Sequence, residues 1–551
     1  MPPPNAKIAD LENQYYDDRV LKRYLQRVLP KDVHRDIEDS LVELGALAGG
    51  DLYDLQLSDR TSKPSLTQWD ARGERIDHIE LTEVWQRALD LTAEYGLVAT
   101  PYEQNHGEYS RIHQFAMVHL LVPATDMIGF LLATTDGAAR TIQQSGNQAL
   151  IDKALPHLLS RSTDELWTSG QWRTEKTGGS DLSRIRTEAR RKDGTWRLYG
   201  QKWFTSSSVA NMALVLAKPQ RDDVDDLALF YLPIRDNDGS VAEGIHVNRL
   251  KENLGADKLP VSEIQLEGAA CRPVSKLSNG RLHLADMVEL ARTWNAVMST
   301  AYMRRGIALA RDFGRKRKAF GTPIIEKPLH YDTMASMQAT YEGAFHLTFR
   351  LVELIGKREA GSISNEDHQL LQALTPIVKL TTAKQAVHVM GEVMEAFGGA
   401  GYVEETGIPM LLRDVYALPV WEGTTNVLSL VSLQALRRDG RLSSLKAELT
   451  RCAAAVEAPA LQHAVQTAMD AFRNAVEWLA TALDDGQEAA EAGARRFALT
   501  VGHALELALL AHHAQWSLEE EGSRATAVVE HFAAKGIDHI APRQHYDAYL
   551  L

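Results

Sequence analysis

Apolar residues recur every three to four positions between residues 80 and 165, as in Leu81, Val84, Trp85, Ala88 and Leu89, and this spacing predicts amphipathic helices. Residues 1 to about 50 are more charged and also read as helical. From about residue 166 the period changes. Arg184–Arg190, the turn Lys192-Asp193-Gly194-Thr195 and Trp196–Tyr199 predict a β-hairpin, because Asp-Gly suits the left-handed backbone of a tight turn. Met212–Ala217, Leu227–Leu232 and Ser262–Leu266 read as further strands between Asp- and Gly-rich turns. Long helical patterns return over 284–316, 328–357, 366–397 and 425–437. After the polar break Arg438-Asp439-Gly440-Arg441, residues 442–551 are rich in Ala, Leu and Glu, are interrupted at Gly486 and Gly493, and show no strand pattern. The expected fold class is α+β. A helical domain with an N-terminal extension would take 1–165, a middle β barrel or sandwich 166–278, a C-terminal helical domain 279–440 and an additional helical domain 441–551.

Composition narrows the class of protein. At roughly 150 residues per domain, 551 residues suggest three to four domains. With 44% hydrophobic and 24% charged residues, the chain reads as an ordinary soluble globular protein. A net charge of -13 opposes nonspecific attraction to nucleic acid or to an anionic membrane. Cys271 and Cys452 stand far apart, which makes neither a disulfide framework nor a thiolate metal site and fits a reducing cytosol. The expectation is a cytoplasmic protein without a metal. Met1-Pro2-Pro3-Pro4-Asn5 lacks the regions of a signal peptide, and the apolar stretch Met117–Ala133 is broken by Pro123 and Asp126. His512 and His513 have no partner motif and read as surface or packing residues.

Five stretches could carry chemistry. Arg173-Thr174-Glu175-Lys176-Thr177-Gly178-Gly179-Ser180-Asp181 gathers hydroxyls and paired glycines where helical texture gives way to strands, so a ligand could approach its backbone closely. The same string also makes a plain turn. In Gly200-Gln201-Lys202-Trp203-Phe204-Thr205-Ser206, Trp203 or Phe204 could wall a planar ligand and Ser206 could donate to it, or the stretch is a strand with one core aromatic. In Trp421-Glu422-Gly423-Thr424-Thr425-Asn426, Glu422 is either a solvated loop residue or, beside apolar surface, a general base; Thr424 or Thr425 could cap the following helix. Phe313–Gly321 carries Arg315, Lys316, Arg317 and Lys318, which suit a helix C-terminus or a diphosphate. Ala396–Tyr402 is a glycine-rich helix end.

In this order and spacing the motifs resemble those of the acyl-CoA dehydrogenase family of flavoproteins over roughly residues 80–435. The chain is most similar to the branch that contains the alkylation-response protein AidB. Thr174-Glu175-Lys176 replaces the Thr-Glu-Pro of the main branch, and Phe204-Thr205-Ser206 stands where Trp-Ile-Thr is common. Residues 69–105 and the helical tail after 440 extend that likeness to nearly the whole chain.

The resemblance implies a helical domain, a middle β domain and a C-terminal four-helix domain. It implies an enzyme that oxidises an acyl-CoA thioester to a trans-2-enoyl-CoA with FAD as cofactor. Glu422 falls at the catalytic-base position. An alternative base position is filled by Ala291 and is therefore empty. Arg292, with Ser180 and Gly423, matches substrate-binding positions. Arg173, Thr174, Gly179, Ser180, Phe204, Ser206, Trp421, Thr424 and Asn426 match FAD contacts. Arg317 and Phe320, with Glu395, Gly398 and Gly399, resemble a site that reaches the FAD of a neighbouring subunit in a homotetramer. Glu395 and Pro328 stand where the main branch commonly has glutamine. An electron-transfer flavoprotein is the implied electron acceptor. The other reading that the branch implies is a stress-protective, nucleic-acid-binding flavoprotein with little dehydrogenase activity, which the charge disfavours.

Overall fold

The computed structural model describes residues 7–220, 226–236 and 238–541; Met1–Asn5 and the end of the 441–551 segment lie outside the described residues. The chain divides into two compact units. One takes residues up to Tyr53, Gln104–Pro123 and residues from Asn295 onward; the other takes Asp54–Glu103 and Ala124–Trp294.

The second unit holds a hairpin and a sheet. Strands β1 (Ser65–Trp69) and β2 (Arg75–Glu80) form an antiparallel hairpin that apolar periodicity does not announce. Its turn is made locally: Asp70 Oδ1 accepts from the amides of Arg72 and Glu74 at 2.8 and 2.9 Å. The sheet contains β3 (Ser169–Trp172), β4 (Glu188–Lys192), β5 (Thr195–Thr205), β6 (Met212–Pro219), β7 (Ala228–Pro233), β8 (Ile245–Leu250) and β9 (Ser262–Pro273). β6, β4, β5, β9 and β7 pair in that order, and β7 pairs back onto β6, so the sheet closes as a barrel. Closure removes unpaired edges from those strands. β3 adds to β6 in parallel and β8 adds to β9. The expected hairpin forms later than its pattern predicts, from Glu188, because Leu182–Arg184 make a short 3-10 turn capped by Asp181. β3 and β8 are too short and polar to stand out in the sequence. The apolar run of β6 is buried, and Leu214 and Leu216 share a core with Ile142 and Leu158 from the helices Gly129–Gln144 and Gln148–Leu158.

The first unit is helical. Pro328–Glu359 and Asn365–Ala396 are each 32 residues long, and the helix Ala285–Lys316 joins them from Asn295 onward. Pro328 sits at the first helical position, where a missing amide hydrogen costs nothing. Ser364 caps the next helix by accepting from the Asp367 amide at 3.0 Å, and Glu366 and Asp367 lie favourably in its first turn. The helices Arg441–Ala454, Pro459–Asp484, Gln487–Glu521 and Ser523–Ala534 belong to the same unit. Glu448 anchors them through Arg350 at 2.8 Å. Burial pushes the Glu448 carboxyl up, but Arg350 and Arg451 outweigh it and hold it at about 2. Gly493, which interrupts the pattern, lies inside a continuous helix: a Cβ there would come within 1.9 Å of the Trp478 ring, so glycine serves packing rather than termination. His513 is buried and packs against His346 with ring centres 4.3 Å apart and planes tilted by 35°, so it is a packing residue. Among the described residues no helix is long and apolar enough to cross a membrane.

Candidate functional site

In the β unit the stretches at 173–181 and 200–208 meet. The Trp203 amide donates to the Thr174 carbonyl at 2.9 Å. Glu175 and Gly178 exchange backbone hydrogen bonds at 3.1 Å, turning the chain through Lys176 and Thr177. The buried Glu175 carboxylate accepts from the Arg186 and Thr187 amides at 2.7 and 3.0 Å, from Thr187 Oγ1 at 2.6 Å and from Lys202 Nζ at 2.9 Å. Lys202 is wholly buried and also donates to the Leu216 carbonyl at 2.9 Å. Burial pushes the Glu175 carboxyl up; attraction to Lys202 and the hydrogen bonds outweigh it and hold the group below its ordinary range. Further hydrogen bonds help to offset the cost of burying a charge pair, and here Glu175 accepts three besides that from Lys202 while Lys202 donates one more to Leu216. Motif reading overlooks this pair, because residues 27 positions apart carry no local signal.

Pairing of β5 with β9 runs to Lys202↔Ile264 and resumes at Thr205↔Ser262, so Trp203 and Phe204 oppose Glu263 alone. This bulge re-aims two aromatics. Phe204 takes a left-handed backbone, φ 56°, and its ring is thrust outward, 56% exposed. Trp203 is half-buried, with Lys251 Nζ 3.4 Å and Lys176 Nζ 5.7 Å from its ring centre. Lys251 Nζ also stands 4.8 Å from the Phe204 ring centre, so Phe204 differs from Trp203 in being the more exposed of the two aromatics. Ser206 follows in a turn and is half-buried, like Arg173 and Thr174. Gly179 packs against Thr174: a Cβ would stand 3.3 Å from Thr174 Cγ2. Ser180 is exposed beside it.

In the helical unit Glu422 is 6% exposed and also left-handed, at φ 56°. Gly423 follows at φ 108°, and Thr424 caps the helix Thr425–Leu436 by accepting from the Val427 amide at 3.4 Å. Trp421 is half-buried; Thr424 and Asn426 are exposed, and Asn426 Oδ1 accepts from Arg495 at 3.4 Å. Ala291 and Arg292 belong to the other unit, in the part of the helix Ala285–Lys316 that precedes Asn295; Ala291 is buried and Arg292 half-buried.

The basic stretch and the glycine-rich stretch also meet. Phe313 stacks on Phe397 at 4.5 Å, bringing the Arg317 end of one helix beside Glu395, Gly398 and Gly399 at the end of another. All four of these residues are exposed. After Arg317, the short strands Lys318–Ala319 and Thr322–Pro323 form a hairpin whose turn is Phe320-Gly321, at φ 50° and 89°. Both turn residues are left-handed, which is easy for Gly321 and strained for Phe320. The Phe320 ring is 99% exposed.

Residues 280–436 match the acyl-CoA dehydrogenase C-terminal domain, residues 170–269 the acyl-CoA dehydrogenase middle domain and residues 5–165 the adaptive response protein AidB N-terminal domain. The chain belongs to the acyl-CoA dehydrogenase family, as its motif order leads one to expect. It is 35% identical over 528 residues to acyl-CoA dehydrogenase family member 11 of Caenorhabditis elegans, covering 92% of this chain and 84% of that one. It is 29% identical to the putative acyl-CoA dehydrogenase AidB of Escherichia coli K12, covering 74% and 73% of the two chains. The crystal structure of Caenorhabditis elegans ACDH-11 in complex with C11-CoA superposes with a TM-score of 0.93 at 34% identity, covering 98% of this chain and 93% of that one.

Proposed function

We propose that the protein catalyses FAD-dependent α,β-dehydrogenation of an acyl-CoA thioester to a trans-2-enoyl-CoA, with Glu422 as general base. The observation that carries this reading is the state of Glu422: a carboxylate 6% exposed on left-handed backbone, just before a capped helix. A non-glycine residue in that conformation costs about 1–3 kcal/mol, and such strain gathers at functional sites. A solvated loop glutamate would be exposed and relaxed.

The residues of the β unit suit FAD. Phe204 offers an exposed aromatic face, Thr174 and Ser206 offer hydroxyls beside it, and the lack of a Cβ at Gly179 leaves space next to Thr174 and Ser180. Arg173, Trp421, Thr424 and Asn426 complete the proposed contacts. FAD, when bound, supplies the acceptor for the substrate β-hydride. Glu422 removes the α-proton, a contribution of roughly 10²- to 10⁴-fold in rate. Ser180, Arg292 and Gly423 hold the thioester. Ala291 leaves Glu422 without a competing base at the alternative position.

Arg317 and Phe320, with Glu395, Gly398 and Gly399, serve the FAD of a neighbouring subunit in a homotetramer. An exposed Phe320 on a strained turn supports a role outside its own chain. The C11-CoA held by the nematode relative supports an acyl chain of comparable length as substrate. An electron-transfer flavoprotein is the proposed acceptor and the cytoplasm the proposed location. Anaerobic mixing of the flavin-loaded protein with acyl-CoAs of increasing length tests the reading. Bleaching of the flavin that peaks at one chain length is expected; no bleaching with any of them overturns it.

A further inference from the structure

The base segment is held from behind by a buried cation. Lys379 lies midway along the helix Asn365–Ala396 and is wholly buried. Its Nζ donates to the carbonyl oxygen of Gly423 at 2.7 Å. Taking an ammonium out of water costs several kcal/mol, so a lysine persists in such a place only where its interactions offset that cost. An apolar residue would fill the same helix position without the penalty.

The carbonyl it grips belongs to a turn of unusual backbone. Glu422 and Gly423 are both left-handed, at φ 56° and 108°, and Thr424 switches at once to the extended backbone of a helix cap. Glu422 gains nothing from this conformation by itself. Gly423 can take many others, since glycine populates both halves of the backbone map. Two neighbours restrict it: Leu428, whose Cδ2 lies 2.9 Å from the place a Cβ on Gly423 would occupy, and the Lys379 ammonium on its carbonyl. Rotating the peptide between Gly423 and Thr424 would break a charge-assisted hydrogen bond in the interior, which is roughly twice as strong as a neutral one.

We propose that Lys379 is a positioning residue for proton abstraction: by holding the Gly423 carbonyl it fixes the turn that aims the Glu422 carboxylate. The proposal rests on Glu422 being the base. The role of Lys379 is to hold a backbone carbonyl. Its effect reaches the chemistry through backbone, and a carboxylate displaced by an ångström loses much of the advantage of a held geometry.

The test compares the FAD-loaded wild type with Lys379→Met and Lys379→Arg. In the methionine variant the rate of anaerobic flavin bleaching by an acyl-CoA should fall about 10- to 100-fold, with KM changed less than about threefold and flavin content retained. The rate difference between α-protonated and α-deuterated acyl-CoA should widen. Amide hydrogen exchange in a peptide spanning residues 417–428 should quicken while the other helices exchange as before. Arginine, which keeps a charged donor, should recover most of the rate. Unchanged bleaching and exchange in Lys379→Met overturn the proposal, and so does an arginine variant as slow as the methionine one. If the wild type itself bleaches with no acyl-CoA, the dehydrogenase reading fails, and exchange at 417–428 still decides whether Lys379 fixes the turn. Should Lys379→Met fail to accumulate, Lys379→Gln, whose shorter amide leaves the carbonyl unbonded, is measured the same way.

Discussion

Glu175 and Lys202 form an ion pair of 2.9 Å in the interior of the β unit, and it ties the Thr174 loop to the bulge that exposes Phe204. The backbone bond from Trp203 to Thr174 runs beside it. Two segments that are separate in sequence therefore share one position in space. If they hold flavin, their relative placement depends on a pair of charges that never touches the ring.

Glu175→Gln leaves the Lys202 ammonium buried without its counter-charge. Breaking a buried pair in this way costs about 3–5 kcal/mol. Denaturant unfolding should show a loss of that order, accompanied by lower FAD retention on gel filtration. The double variant Glu175→Leu/Lys202→Met should regain part of the stability, since it buries no charge. A single variant within 1 kcal/mol of wild type would contradict the role given to the pair.

Glu422→Gln keeps the shape of the base and removes its basicity. The variant should bind FAD normally and bleach at least about 10²-fold more slowly with acyl-CoA. Stopped-flow absorbance reads both quantities in one experiment. A variant that bleaches at the wild-type rate would remove Glu422 from the mechanism.

Phe320 sits on left-handed backbone that asparagine tolerates far better. Phe320→Asn should therefore leave the folding stability of the protomer unchanged or raise it slightly. The same change, like Arg317→Ala, should weaken the tetramer and its FAD, as read by light scattering and flavin content. A mutant tetramer with full flavin would show that the exposed ring has no role across subunits.

Glu506 is wholly buried and accepts from Gln385 Nε2 at 2.8 Å. Burial pushes its carboxyl up to about 8 from an ordinary 4.5. A raised acid contributes its full stabilisation below pH 4.5 and loses it as pH climbs through about 8. Burial acts oppositely on two histidines of the same helix, holding His503 at about 3 and His512 at about 4, so their contribution is present above 6.5 and lost as pH falls. From these groups stability should peak near pH 6.5. Glu506→Gln removes the alkaline loss, so its advantage over wild type should grow by about 2 kcal/mol between pH 6.5 and 8. Denaturant titrations at the two values measure this; a difference independent of pH would contradict it.

Much of the architecture is legible in the chain because its causes are local. The helices Pro328–Glu359 and Asn365–Ala396 lie within a few residues of their predicted limits, since the apolar period, a proline at the first position and a serine cap act over one or two turns. The order of Thr174, Phe204 and Glu422 likewise points to the family, because those residues lie in short recognisable strings. The hairpin Ser65–Glu80 is hidden because its strands carry mostly polar residues and bury little. The choice between Trp203 and Phe204 as the more exposed aromatic stays undecided in sequence, because a bulge is a property of register between two strands.

By itself, then, the sequence determined the helices, the β block, the family and the candidate residues. Only the tertiary structure decided that Glu175 meets Lys202, that Lys379 meets Gly423, and that Glu422 and Phe204 sit on left-handed backbone. The reason is physical. Propensity, capping and periodicity are short-range and can be read along the chain. The partner of a buried charge and the strain at a residue are set by whatever packs around them, and packing joins residues that the sequence holds far apart.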